Sequence, residues 1–206
     1  MQLSLDSLTD SDSGNLLSLA DAQLWFHPHF LSTTEADACF TSLRDTTPWQ
    51  QDFLNFGGKR VAIPRLQAWV GDKHSNYGYS GLALTPLPWT DLLADLRDRV
   101  AGIAGMAFNS VLLNYYRHGN DSVAWHSDDE KELGVNPVIA SLSLGATRRF
   151  ELKHRKRALP KSVCELSHGS LLVMGAGTQR HWQHQVPKQP AIVEPRINLT
   201  FRYIEA

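Results

Sequence analysis

The sequence predicts a mainly β (α+β) fold, a sandwich or barrel buttressed on one side by helices, and three observations predict it. Helical periodicity is confined to two stretches before residue 105. From residue 108 onward the chain breaks into short β-branched or aromatic runs cut by Gly, Asn and Pro. The last of those runs alternates polar and apolar residues strictly, the period of a strand with two different faces.

The stretch STTEADACFTSLRD places Ala36, Cys39, Phe40 and Leu43 at helical spacing behind a run of capping residues, so a helix is expected over 33–45. PWTDLLADLRDRVAGIAG repeats the pattern with Leu92, Leu93, Leu96, Val100 and Ile103, and glycines end it. The strand-like runs are SVLLNYYRHG, PVIASLSLGA, RRFELKH, SLLVMGAG, HWQHQVP and RINLTFRYI. Residues 1–20 are rich in Ser and Asp and read as a disordered tail, without the basic and continuous apolar regions of a signal peptide. Residues 21–206 then form one domain, which 206 residues with 42% hydrophobic side chains can pack around a single core.

A net charge of −1 and a pI near 6.7 supply no global field that would draw the chain onto nucleic acid or anionic lipid. Any such partner needs a local patch. Residues 148–161, RRFELKHRKRALPK, offer one, with seven Lys and Arg against a single Glu, although such a run is more often a solvated face. Two cysteines, Cys39 and Cys164, make no disulfide framework, and no apolar run is long enough to cross a bilayer. The expectation is a soluble intracellular monomer with no membrane partner, cytoplasmic in a bacterium or nuclear in a eukaryote.

Residues 122–130 read SVAWHSDDE. In an extended segment His126 and Asp128 project from one face, as two ligands to one ion must, and Asp129 points elsewhere. A third ligand is available in HWQHQVP, from His181 or His184. Two histidines and a carboxylate make the facial triad of non-haem Fe(II) oxygenases; the same set also admits zinc, and His-x-Asp alone also suits a surface turn. The run RINLTFR narrows the choice. One face carries Arg196, Asn198, Thr200 and Arg202, the other Ile197, Leu199 and Phe201. Unless this is an edge strand with a solvated face, two inward guanidiniums require an anion, and a dicarboxylate supplies one end for each. LLNYYR shows the same alternation, with Asn114 and Tyr116 opposite Leu113 and Tyr115. The combination points to an Fe(II)- and 2-oxoglutarate-dependent dioxygenase.

From about residue 54 to the end, the blocks LLNYYRHGNDSVAWHSDDEKELG, PVIASLSLGATRRFELKH, HGSLLVMGAGTQRHWQHQVP and PRINLTFR resemble, in order, the signature blocks of the AlkB-type nucleic-acid dealkylases. They are most similar to the branch that includes duplex-acting repair enzymes. The resemblance implies a double-stranded β-helix (jelly-roll) core and a base-binding lid at about 54–85. It implies iron held by His126, Asp128 and His184, the last because the family ligand directly precedes the step seen here as QVP. It also implies 2-oxoglutarate held by Asn114, Tyr116, Arg196, Asn198, Thr200 and Arg202, with O2 as co-substrate.

The activity so implied is oxidative repair of 1-methyladenine and 3-methylcytosine in DNA, single-stranded or duplex, releasing formaldehyde, succinate and CO2 after the base is flipped out of the stack. Alternatives on the same fold are an RNA demethylase, a 2-oxoglutarate hydroxylase of a protein or small molecule, and a non-catalytic nucleic-acid-binding module. A zinc hydrolase would leave RINLTFR without a role. By the same resemblance, Tyr77 and Tyr79 face the cationic base with the His126 ring opposite, and Glu130 lies near its exocyclic amine. Phe56 would be the wedge that fills the vacated stack, Arg65 would contact the unpaired strand, and the 148–161 patch would contact phosphates. Asp129 is expected in a solvated acidic turn.

Overall fold

The computed structural model describes residues 14–73, 77–79, 82–84 and 86–205, and at 56, 77–79 and 82–84 the backbone alone. The chain opens with β1 (Asn15–Leu19), β2 (Ala22–His27) and helix α1 (Thr33–Thr46). Strands β3 (Phe53–Phe56), β4 (Lys59–Ala62), β5 (Leu66–Gly71), β6 (Tyr77–Tyr79) and β7 (Leu82–Leu84) lead to helix α2 (Asp91–Ala104). Then come β8 (Ser110–Tyr116), β9 (Val123–His126), a 3-10 turn at Lys131–Leu133, β10 (Ile139–Gly145) and β11 (Arg148–His154). The remainder is β12 (Ser162–Leu166), β13 (Ser170–Met174), the one-turn helix α3 (Thr178–His181), β14 (Trp182–Val186) and β15 (Arg196–Arg202).

A seven-stranded sheet in the order β1-β2-β13-β10-β15-β8-β5 packs on a four-stranded sheet in the order β12-β11-β14-β9, and two hairpins, β3-β4 and β6-β7, stand apart. Every pairing between the described strands is antiparallel. This is the expected jelly roll. One core lies between the large sheet and the helices, where Leu142, Leu199 and Phe201 meet Leu43, Leu96 and Val100. A second lies between the sheets, where Leu112, Ile139 and Leu172 meet Phe150, Leu166 and Trp182. Period two therefore does double duty on β15, whose odd face packs on the helices while its even face enters the sandwich.

Both expected helices form. Ser32 caps α1 by accepting from the Glu35 backbone N–H, and the Glu35 carboxylate accepts from the Ser32 N–H in return. Helix α2 starts at the Thr90 cap and stops at Gly105, whose φ of 68° is left-handed and suits a residue without a Cβ. The disordered tail expected over residues 1–20 does not include Asn15–Leu19, which pair with β2 along the sheet edge; residues 1–13 lie outside the described residues.

Cavity formation at the centre of the first core sets the largest expected effect of an apolar truncation. Leu199→Ala should lower unfolding free energy by about 2–5 kcal/mol in urea, whereas Leu16→Ala, at a site 64% exposed, should stay within about 0.5 kcal/mol.

Candidate functional site

His126 ends β9 directly opposite His184 on β14, and their rings lie 4.2 Å apart, centroid to centroid, at 63°. Asp128 follows just past the strand end, its backbone N–H donating to the Gln179 side-chain oxygen at 2.9 Å. The three side chains offer ligand atoms all within 4.8 Å of one another. Asp128 and His184 are buried. The donor set is two imidazoles and one carboxylate, which suits Fe(II).

The protonation states match a ligand set. The His126 Nδ1 lies 2.8 Å from the Ala124 carbonyl oxygen, which can only accept, so Nδ1 donates there and Nε2 is left as the ligating nitrogen. Burial, reinforced by His126, pushes the His184 ring down to about 3, and it is neutral at physiological pH. Burial works against ionisation of Asp128, but Arg202 and the two histidines outweigh it and hold the carboxyl well below the usual range. Arg202 donates from Nη2 to Asp128 Oδ1 at 2.6 Å.

A cavity between the sheets reaches from these residues along the even face of β15. Arg196 is 1% exposed; its Nη2 donates to Ser143 Oγ at 2.9 Å and its guanidinium sits 5.1 Å from the Tyr116 ring centroid. Its Nε and Nη1 are buried without a hydrogen-bond partner, and no described carboxylate pairs with it. Burial pushes its pKa down to about 10, which leaves it cationic at neutral pH. A buried cation with two idle donors is costly, and a carboxylate is the ligand that relieves it. Asn198 donates to Ser141 Oγ at 2.7 Å and accepts from Thr200 Oγ1 at 2.9 Å, so this pair is held in place by its own hydrogen bonds. The solvated-edge alternative for RINLTFR is excluded, because β15 runs between β10 and β8 and all seven residues are buried.

Several expected positions differ. Arg65 does not reach outward to a second strand: it is 4% exposed and donates to Asn114 Oδ1 at 2.7 Å and to the Ser122 carbonyl at 3.2 Å, because β5 pairs with β8 and turns it inward. Arg202 lines the cavity, yet one arm is engaged by Asp128. Arg148, read as part of a solvated patch, is 1% exposed and donates to the Asp121 and Pro187 carbonyls, its guanidinium 5.5 Å from the Tyr116 centroid. Glu130 is half-buried ahead of the 3-10 turn and does not line the cavity. Asp129 is exposed and pairs with Arg155 at 2.6 Å. The side chains of Phe56, Tyr77 and Tyr79 lie outside the described residues.

His181 goes to a different cluster, with Asp21 and His154. There the His154 Nδ1 accepts from the Lys156 and Arg157 backbone N–H groups, which places its proton on Nε2 toward Asp21 at 3.4 Å. Arg157 also pairs with Asp21 at 2.9 Å, so the Asp21 carboxylate already faces a cation. The sequence reading missed Gln179 and Arg148. The alternation of Arg148, Phe150 and Leu152 in RRFELKH was a signal for the second; only the fold places the first.

Comparison with known proteins agrees with this geometry. Residues 23–202 match the model of the 2OG-Fe(II) oxygenase superfamily. The bovine (Bos taurus) alpha-ketoglutarate-dependent dioxygenase alkB homolog 3 is 43% identical over 188 residues, 86% of this chain and 64% of the relative. The human DNA oxidative demethylase ALKBH2 is 43% identical over 180 residues, 82% of this chain and 69% of the relative. The chain thus spans somewhat under two thirds of the length of the bovine relative. A solved structure described as that of OsALKBH1 superposes with a TM-score of 0.59 at 15% identity, covering 92% of this chain and all of the other, a likeness of fold.

Asp128→Ala should strip Arg202 of its carboxylate and destabilise the metal-free protein by about 3 kcal/mol in urea unfolding. The same substitution should abolish the visible absorption band that Co(II), added as a probe, gives with the parent protein.

Proposed function

The chain belongs to the 2OG-Fe(II) oxygenase superfamily, and from that premise we propose that it removes N-methyl groups oxidatively from alkylated nucleic-acid bases, 1-methyladenine and 3-methylcytosine in DNA first among them. Fe(II) and 2-oxoglutarate are the cofactors, with O2 as co-substrate. The observation that carries the reading is the buried Arg196 with two unpartnered donors, beside the neutral His184 and the ionised Asp128. The DNA substrate is supported by the names of relatives 41–44% identical to this chain, such as the DNA oxidative demethylase ALKBH2 of mouse, cow and human.

In this reading His126, Asp128 and His184 hold the iron. Arg196 would pair with a carboxylate of 2-oxoglutarate, and Tyr116, Asn114, Asn198 and Thr200, which line the same cavity, would complete its site. When bound, these cofactors couple loss of CO2 and formation of succinate to hydroxylation of the N-methyl carbon, from which formaldehyde leaves. The chain's share is positional. Ala124 fixes the His126 ring through Nδ1, Gln179 fixes the Asp128 backbone, and Arg202 fixes its carboxylate. Leu112, Phe150, Met174 and Val186 line the rest of the cavity and exclude water.

The base reaches this site from outside. A groove of about 380 Å³ between the β3-β4 hairpin and β9 opens onto His126 and shares it with the inner cavity. A base in that groove has left its stack, and a lesion on the pairing edge lowers the cost of leaving.

Incubation with Fe(II), 2-oxoglutarate and O2 should remove the methyl from 3-methylcytosine in a synthetic oligonucleotide, followed by mass spectrometry on single-stranded and duplex forms. His184→Ala or omission of 2-oxoglutarate should stop it. Arg196→Ala should raise the KM for 2-oxoglutarate at least about thirtyfold, the low end for truncating one partner of a buried charge pair. Succinate formation with the methyl retained on both strand forms would sink the substrate assignment and leave the oxygenase.

A further inference from the structure

Resting on the dealkylase reading, we propose that Trp125, with Lys153 and Lys161, holds the nucleotide next to the reacting one and so selects a single, unstacked strand. Trp125 precedes an iron-site residue, yet it has no part in the site described above. Strand β9 bulges between Val123 and His126, which both line the inner cavity, and Trp125 within the bulge lies against Lys153 and Lys161 on the outer side of the sheet.

Three observations give the outward side a ligand chemistry. The Lys153 and Lys161 ammonium groups lie 4.5 and 5.2 Å from the Trp125 ring centroid. Glu151 is 3.9 Å from Lys161, and no described carboxylate pairs with Lys153. Trp125 is half-buried and lines the groove that also reaches His126, whose other walls are apolar, among them Leu54, Val61 and Ile63. The hairpin strand that lines that groove with Val61 and Ala62 also carries the exposed Lys59 and Arg60, the latter 4.1 Å from the Phe53 ring centroid. An indole and an apolar floor with cations on both rims fit a chain of flat bases joined by phosphates, recognised without reading base edges.

The opposed directions of His126 and Trp125 then exclude a stacked partner. Bases in a duplex lie parallel, 3.4 Å apart along each strand, and cannot be presented to both sides of one β-strand. A strand that places one base at His126 and the next on Trp125 is splayed between them. Strand β9 is the edge of its sheet, so the backbone between the two bases has room to pass over it.

The test compares a trinucleotide carrying a central 3-methylcytosine with the corresponding 5′-phosphorylated mononucleotide, which has no neighbouring base. Trp125→Ala should lower the trinucleotide-to-mononucleotide ratio of kcat/KM roughly tenfold, through KM, within the range for losing one base–aromatic stack. Trp125→Phe should restore most of the ratio, and Lys153→Gln should flatten its salt dependence by about one charge. In an independent readout, Trp125→Ala should weaken binding of an unmodified fluorescent oligothymidylate, measured by anisotropy. An unchanged ratio, whether from equal losses on both substrates or from no loss, would overturn the neighbour-binding role while the dealkylase reading stands. A parent protein inactive on both substrates would overturn the two together.

Discussion

An arginine at the centre of a β-sandwich has to be met by an anion, and much of this structure follows from putting Arg196 there. Strand β15 runs between β10 and β8, so its even face has no route to solvent. The registers place Tyr116 opposite Arg196, Asn114 opposite Asn198 and Ser143 opposite Asn198 on the other side. Each neighbour gives a partial answer: a hydroxyl for Nη2, an aromatic face for the guanidinium plane, a fixed amide below. None is a counter-charge. The fold builds a cradle and leaves it one carboxylate short.

The charges around the cavity extend the same point. Among the described residues Arg65, Arg196 and Arg202 line it against the single carboxylate Asp128; three positive charges less one negative leaves two, and burial keeps His184 neutral. That surplus equals the charge of a dicarboxylate. It also explains the division of labour between the arginines, since Arg202 is the one close enough to pair with Asp128 while Arg196 is not. His126, Asp128 and His184 would hold a divalent cation close to these arginines, and a dianion paired with Arg196 would offset their repulsion of it.

What the sequence disclosed follows from periodicity. Alternation at period two exposed β15 and β8, and helical spacing behind capping residues located α1 and α2 within a residue or two. Single-chain periodicity does not report strand pairing. Arg65 read as an outward contact because only the pairing of β5 with β8 turns it onto Asn114. Gln179 clamps Asp128 from a helix of one turn that carries no periodic signal at all. Strands β1 to β7 went unplaced for a related reason: they are short, and β4 buries no side chain, so no apolar face marks it. The choice of His184 over His181 came from family likeness, and in the structure His181 is turned toward Asp21 and His154.

Position at a sheet edge gives β9 its value and its risk. An edge strand presents unpaired backbone to any passing chain, and proteins usually cover or charge such edges. Here the edge is left beside an open groove, with the β3-β4 hairpin across from it, and no described strand pairs with its outer side. The alternative, a central strand bearing His126, would bury the metal site under another strand and shut out any macromolecular substrate. On the proposed reading, a site that must act on a polymer is driven to the edge, while its cofactor cradle, needing only a small dianion, is driven to the centre on β15. His184 on β14, next inward from β9 in the small sheet, is where the two requirements meet.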